Sequence, residues 1–205
     1  MKKAILIVLI VSASATVFAQ NEKKMTTGAR FGIHAGANFA NVKEKVQGSS
    51  STTENSLTRL NAGVFVELPI VPSFAIQPEV NYSGMGAKVK NVDGAGTDIN
   101  FLEDYISIPV LLKFKVPTSG FGIYIAPQYS FLMSAKSKVS GGSSTDVKSD
   151  YKSGEFSGLV GAEYFLPVGV GISARYQAGF SNVLKQAGSG SVKNHAFTVT
   201  IGYRF

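Results

Sequence analysis

Six charged residues stand out because each interrupts a run that otherwise alternates apolar with small or polar side chains: Glu67, Glu79, Lys113, Glu163, Arg175 and Arg204. Carboxylates and cations gathered in one enclosed space can do one of two things. They can line a narrow polar pathway, or they can pair and satisfy one another as a plug. The only histidines are His34 and His195. A serine nucleophile needs such a base within hydrogen-bond reach, yet the two fall on different faces of their segments and in no lipase or deacylase motif. Asp93, Asp98, Asp146 and Asp150 lack calcium-loop spacing. Gly94 and Gly96 precede no helical pattern, so they make no dinucleotide fingerprint. Cysteine is absent, which excludes disulfides, thiolate metal sites and a cysteine nucleophile. These residues predict no enzyme, no cofactor and no metal site. They predict a lumen charge network of the six residues named above, closed as a plug.

The elements that would position those charges are strands. In residues 195–205, Phe197, Val199, Ile201, Tyr203 and Phe205 share one face, opposite Ala196, Thr198, Thr200, Gly202 and Arg204. In the first such segment Phe31, Ile33, Ala35, Ala37 and Phe39 oppose Arg30, Gly32, His34, Gly36 and Asn38. A period of two is the strand signature. It recurs from Leu60, Phe74, Ile106, Phe121 and Val168 onward, and less regularly over residues 156–165. The pattern predicts an all-β chain: an eight-stranded antiparallel up-and-down transmembrane β-barrel. Its connections alternate. Residues 69–73, residues 117–120 and the stretch around Pro167 are short and carry proline, which presets a turn. Residues 41–56, 91–98, 136–153 and 184–191 are longer and polar. Short inner turns with longer outer loops are the habit of outer-membrane barrels. Pro78, Pro109 and Pro127 each remove a ladder donor, so bulges or kinks are expected there. Phe101 and Tyr105 fall out of phase with residues 106–114, which predicts a bulge or a later start in that strand.

The apolar face is expected to meet lipid. The opposite face mixes the six charges with glycine, serine and alanine, which suits the tight interior of an eight-stranded barrel. Aromatic residues gather in two bands, Phe31, Phe74, Phe114, Phe121, Tyr203 and Phe205 at the short-turn end and Phe39, Tyr82, Phe131, Phe156 and Phe180 at the long-loop end. Two girdles flanking an aliphatic band are what a bilayer selects.

The N-terminus sets the compartment. Lys2 and Lys3 precede an apolar run over residues 4–11 and small residues up to Ala19, the plan of a cleaved secretory signal peptide over residues 1–19. The barrel domain is then residues 20–205, opening with a polar leader over residues 20–29. The apolar run is far shorter than the roughly 20 residues of a spanning helix. Formal net charge is +7, and +5 once Lys2 and Lys3 are removed. No arginine-rich or aromatic-interleaved stretch points to nucleic acid.

Four stretches carry a family resemblance. Tyr105-Ile106-Ser107-Ile108-Pro109-Val110-Leu111-Leu112-Lys113 resembles the central motif of the PorT-like outer-membrane β-barrel family. Ala174-Arg175-Tyr176-Gln177-Ala178-Gly179-Phe180-Ser181-Asn182-Val183 resembles its penultimate strand, and Gln77-Pro78-Glu79-Val80-Asn81-Tyr82-Ser83 with Gly86 its third. The terminal Gly202-Tyr203-Arg204-Phe205 is similar to the ending read by outer-membrane assembly machinery, which makes Tyr203 and Phe205 a C-terminal assembly signal. The resemblance implies a barrel of the porin type in the outer membrane of a Gram-negative-type cell and carries no catalytic set. The expected function is structural or surface interaction through the outer loops. The alternative is a small porin for ions or polar solutes. The expected partners are outer-membrane lipid, the assembly machinery and a surface polysaccharide or protein ligand.

Overall fold

A computed structural model describes residues 28–45, 52–53, 55–90, 97–139, 142, 144–186 and 191–205. The expected signal peptide and most of the leader lie outside these residues, as do Asp93, Gly94 and Gly96.

Ten strands follow one another: β1 Arg30–Lys45, β2 Thr52–Thr53, β3 Leu57–Val71, β4 Phe74–Val89, β5 Ile99–Lys115, β6 Phe121–Val139, β7 Ser144–Asp146, β8 Gly154–Phe165, β9 Val170–Gly179 and β10 Ser191–Arg204. The eight long ones pair antiparallel in the order β10-β9-β8-β6-β5-β4-β3-β1, and β10 pairs back to β1. That last ladder runs from Gly32 opposite Arg204 to Lys45 opposite Ser191. Closure leaves no long edge with unpaired backbone groups. The short β2 and β7 extend the rim beside β1 and β6.

The barrel is inside out relative to a water-soluble one. Ile201 is 65% exposed and Ile125 60%, whereas Glu67 and Lys113 are fully buried. Along β6 every second residue from Gly122 to Leu132 is buried and every alternate one is exposed. Phe31, Phe114, Phe121, Tyr203 and Phe205 are exposed at one end and Phe39, Tyr82, Phe131, Phe156 and Phe180 at the other, while Phe74 is half-buried. A belt of this size and polarity belongs in hydrocarbon, not water.

Three expectations need correction. The strands run further than the apolar pattern, β1 to Lys45 and β6 to Val139. Backbone pairing does not depend on side-chain polarity, so it continues past the lipid belt into segments expected as loops. The prolines cause no register shift. Pro78 stays opposite Val110, Pro109 opposite Gln128 and Pro127 opposite Gly158, with the same register on both sides. Beside the prolines the β4–β5 and β5–β6 ladders each skip two pairs and then resume in the same register. The register shift near Tyr105 lies between Asp104 and Tyr105 and arises from one extra residue on the partner strand: Asp104 opposes Ser134 and Tyr105 opposes Leu132, leaving Met133 bulged. Tyr105 is in phase. It points into the lumen, 2% exposed.

Candidate functional site

Among small and apolar inward residues each wall carries scattered charges and amides, and closure brings these together in levels along the lumen. At the short-turn level Glu67 is the hub. Its Oε2 accepts a bond from Lys113 Nζ at 3.0 Å and its Oε1 one from Lys115 Nζ at 2.6 Å. Arg30 and Arg204 each approach it at 3.4 Å. Lys113 also donates to Gln77 at 2.8 Å and pairs with Glu163. Phe165 lies over this group. Its ring is 4.7 Å from the Arg204 guanidinium carbon and 5.9 Å from Lys113 Nζ, and meets Phe65 edge-on at 6.2 Å. On the short-turn side of Phe165 opens a recess of ≈ 820 Å³ lined by Arg30, Lys115, Glu163, Phe165 and Arg204 among others.

One level deeper, Arg175 donates to Glu79 at 2.8 Å, and Gln77 and Asn81 each donate to the same carboxylate at 2.8 Å. His34 Nε2 is 2.9 Å from Asn81 Oδ1. Between His34, Glu79, Phe165 and Arg175 remains a void of ≈ 20 Å³, room for about one water. Buried atoms of two lining residues, His34 Nδ1 and Arg175 Nε, have no hydrogen-bond partner among the described residues. The six charges thus fall into two sets, Glu67, Lys113, Glu163 and Arg204 in one and Glu79 with Arg175 in the other.

A third level, toward the long loops, is absent from the sequence reading. Glu103 and Glu155 are 1% and 2% exposed. One amide serves both: Asn194 Nδ2 lies 2.8 Å from Glu103 Oε2 and 2.9 Å from Glu155 Oε2. Tyr105 donates to Glu103 at 2.7 Å and Gln177 to Glu155 at 3.1 Å. Arg59 is instead paired with Asp104. Above this level Tyr151 joins an apolar cluster with Met85, Tyr105, Leu132 and Val183. Tyr151 comes from the loop between β7 and β8, and its segment is tied down by Lys152 N to Val183 O at 2.8 Å and Lys185 N to Asp150 O at 2.9 Å. Burial and the neighbouring Glu103 push the Tyr151 hydroxyl up from its ordinary range, which keeps it a donor. Among the described residues, the Tyr151 segment thus packs over the long-loop end of the lumen. The signal for Glu103 is its parity, since it shares the inward face of β5 with Tyr105, Ser107 and Lys113. The signal for Glu155 lay in the least regular strand, β8.

The two histidines do not meet. His34 is in the lumen, and His195 takes Tyr176 OH at 3.0 Å on the outer side of the wall. Among the described residues no three of His, Asp, Glu or Cys gather as a metal site. Asp98 pairs with Lys88 at 2.8 Å, and Asp146 accepts the Lys148 backbone N–H at 2.9 Å. Tyr203 and Phe205 point outward at the end of β10, 40% and 71% exposed, with their rings 5.0 Å apart.

The sequence profile described as "Outer membrane protein beta-barrel domain" matches residues 18–185. The chain belongs to that family. This outer-membrane barrel is similar in structure to Neisserial surface protein A, with TM-score 0.53, 19% identity, and 87% of this chain and 99% of that one covered. It also matches Ail of Yersinia pestis, solved in complex with the heparin analogue sucrose octasulfate, at TM-score 0.47 and 14% identity over 88% and 100% of the two chains. OprG from Pseudomonas aeruginosa matches at TM-score 0.44 and 12% identity over 87% and 97%. At these identities the likeness concerns fold alone. No curated protein matches the sequence.

Proposed function

We propose that this outer-membrane barrel is a closed structural or surface-interaction protein that works at its outer loops and rim, not a pore. The observation that carries the reading is the filled lumen. Paired charges occupy two levels, an amide-bridged carboxylate pair a third, and the residual void beside Arg175 is ≈ 20 Å³. A hydrated ion does not pass a space for about one water. Phe165 and Glu163 stand between the recess at the short-turn end and that void, lining both.

The finer assignments belong to the same reading. Residues 1–19 act as a cleaved signal peptide, Tyr203 and Phe205 as the signal for the assembly machinery, and the resemblance of the β4, β5 and β9 motifs supports a PorT-like barrel. The loops offer a polysaccharide or protein ligand a surface, and no residue set is assigned to catalysis. The rival small porin makes a different demand, a continuous wet path. Planar-bilayer recording of the purified protein separates the two. The closed barrel gives no reproducible conductance steps, and stable unitary steps would replace this reading with the porin.

A further inference from the structure

The outer side of the β1–β10 seam carries a column of cross-strand pairs. Phe39 faces Phe197, Asn41 faces His195, and Lys43 faces Lys193. The Phe39 and Phe197 rings stack at 6.5 Å within the long-loop aromatic girdle. His195 and Lys43 then follow the girdle by two and four residues. At ~3.3 Å per residue and a tilt of ~40°, these lie about 5 and 10 Å beyond the aromatic level, in the headgroup layer. Long lysine stems can lean back toward that layer.

Two lysines directly opposite each other repel, and sheets avoid that arrangement unless something offsets it. Among the described residues neither Lys43 nor Lys193 enters an ion pair. Thr53, which pairs with Lys43 from β2, is neutral. His195 has one ring nitrogen on Tyr176 OH at 3.0 Å, and its other nitrogen has no hydrogen-bond partner among the described residues. Asn41 adds a further polar side chain on the same face, with its Oδ1 unsatisfied. Two ammonium groups, an imidazole and an amide thus neighbour one another on lipid-facing wall just above the girdle, with no anion paired to either lysine among the described residues.

From this charge complementarity we infer that Lys43, Lys193 and His195 form a binding site for the phosphate of an anionic lipid headgroup in the leaflet at the long-loop end. The inference deepens the surface-interaction reading by naming a partner, and it rests on that reading only for the membrane placement. A conducting barrel would leave it standing, so the two fail separately.

The chain has only two histidines, and His34 in the lumen serves as an internal control. The test is ring NMR of the full-length barrel in phosphatidylcholine nanodiscs carrying increasing phosphatidic acid. The His195 resonances are expected to move saturably while those of His34 stay fixed. Surface lysines contribute enough toward anionic lipid that K43Q/K193Q shifts the midpoint to higher phosphatidic acid by ~30-fold. An unmoved His34 spectrum reports an intact lumen in that variant. A static His195, or an equal midpoint in the variant, overturns the site. Inorganic phosphate added to pure phosphatidylcholine discs is the second arm. No response supports a lipid-held phosphate, and a full response at comparable concentration overturns the lipid assignment in favour of a free-anion site.

Discussion

Lys113 shows what a single residue does in this lumen. It is fully buried, and it is the cation paired with Glu163. Glu67, its other carboxylate, keeps Lys115, Arg30 and Arg204. Removing Lys113 therefore strands Glu163 much more than Glu67. A buried charge left without its partner costs about 3–5 kcal/mol. Lys113→Met should lower the unfolding free energy in lipid vesicles by that order, read by urea titration of tyrosine fluorescence. Adding Glu163→Gln should restore part of the loss, because the stranded charge goes with it. If the double variant were as unstable as the two single losses combined, the pairing would not be the reason. Asn194 is the corresponding residue at the outer level. Asn194→Ala removes the amide shared by Glu103 and Glu155. It should cost about 1–3 kcal/mol, the scale of unsatisfied buried polar groups, in the same assay.

At the scale of elements, the close pairing of the outer end of β4 with β5 depends on one glycine. Gly86 has φ +135°, and a Cβ there would lie 2.0 Å from the Phe101 carbonyl oxygen. Gly86→Ala should destabilise by about 1–3 kcal/mol, the cost of a strained backbone position, with the loss visible as faster amide exchange in β4 and β5. The covering loop makes a second claim. Tyr151→Ala removes the ring that seals Glu103, so exchange should quicken at the outer ends of β5 and β8 and stay unchanged at the centre of β9. Uniform quickening would mean that the loop supports the whole wall. Strand phase was legible in the sequence because a wall between lipid and a polar lumen forces every side chain to one of two solvents. From Phe31 to Phe39 and from Phe121 to Phe131 alternation alone gives the observed faces. What it could not give is the extent of pairing beyond the lipid, since Lys43 and Lys136 show no solvent contrast there. Nor could it separate a bulge from a phase change at Tyr105, because the extra residue, Met133, sits on the neighbouring strand. Cross-lumen partners such as Asn194 with Glu103 depend on closure and shear, which no local pattern encodes. Phe165 was not singled out because it ends the least regular segment, residues 156–165, where alternation gives the weakest guide to which face turns inward.

For the whole molecule, every feature of the account rests on one inversion, apolar side chains to the bilayer and paired charges to the axis. The absence of cysteine makes that directly measurable, because single cysteines can be introduced one at a time and spin-labelled. The most informative stretch is the middle of β6, where Ile123, Ile125 and Tyr129 are exposed and Tyr124, Ala126 and Gln128 are buried. Labels at these positions, in vesicles, should show oxygen accessibility that is high at 123, 125 and 129 and low at 124, 126 and 128. Oxygen concentrates in the bilayer, so only the lipid-facing set should respond strongly. Accessibility that peaks at 124, 126 and 128, or that lacks a period of two, would contradict the inside-out barrel and everything built on it.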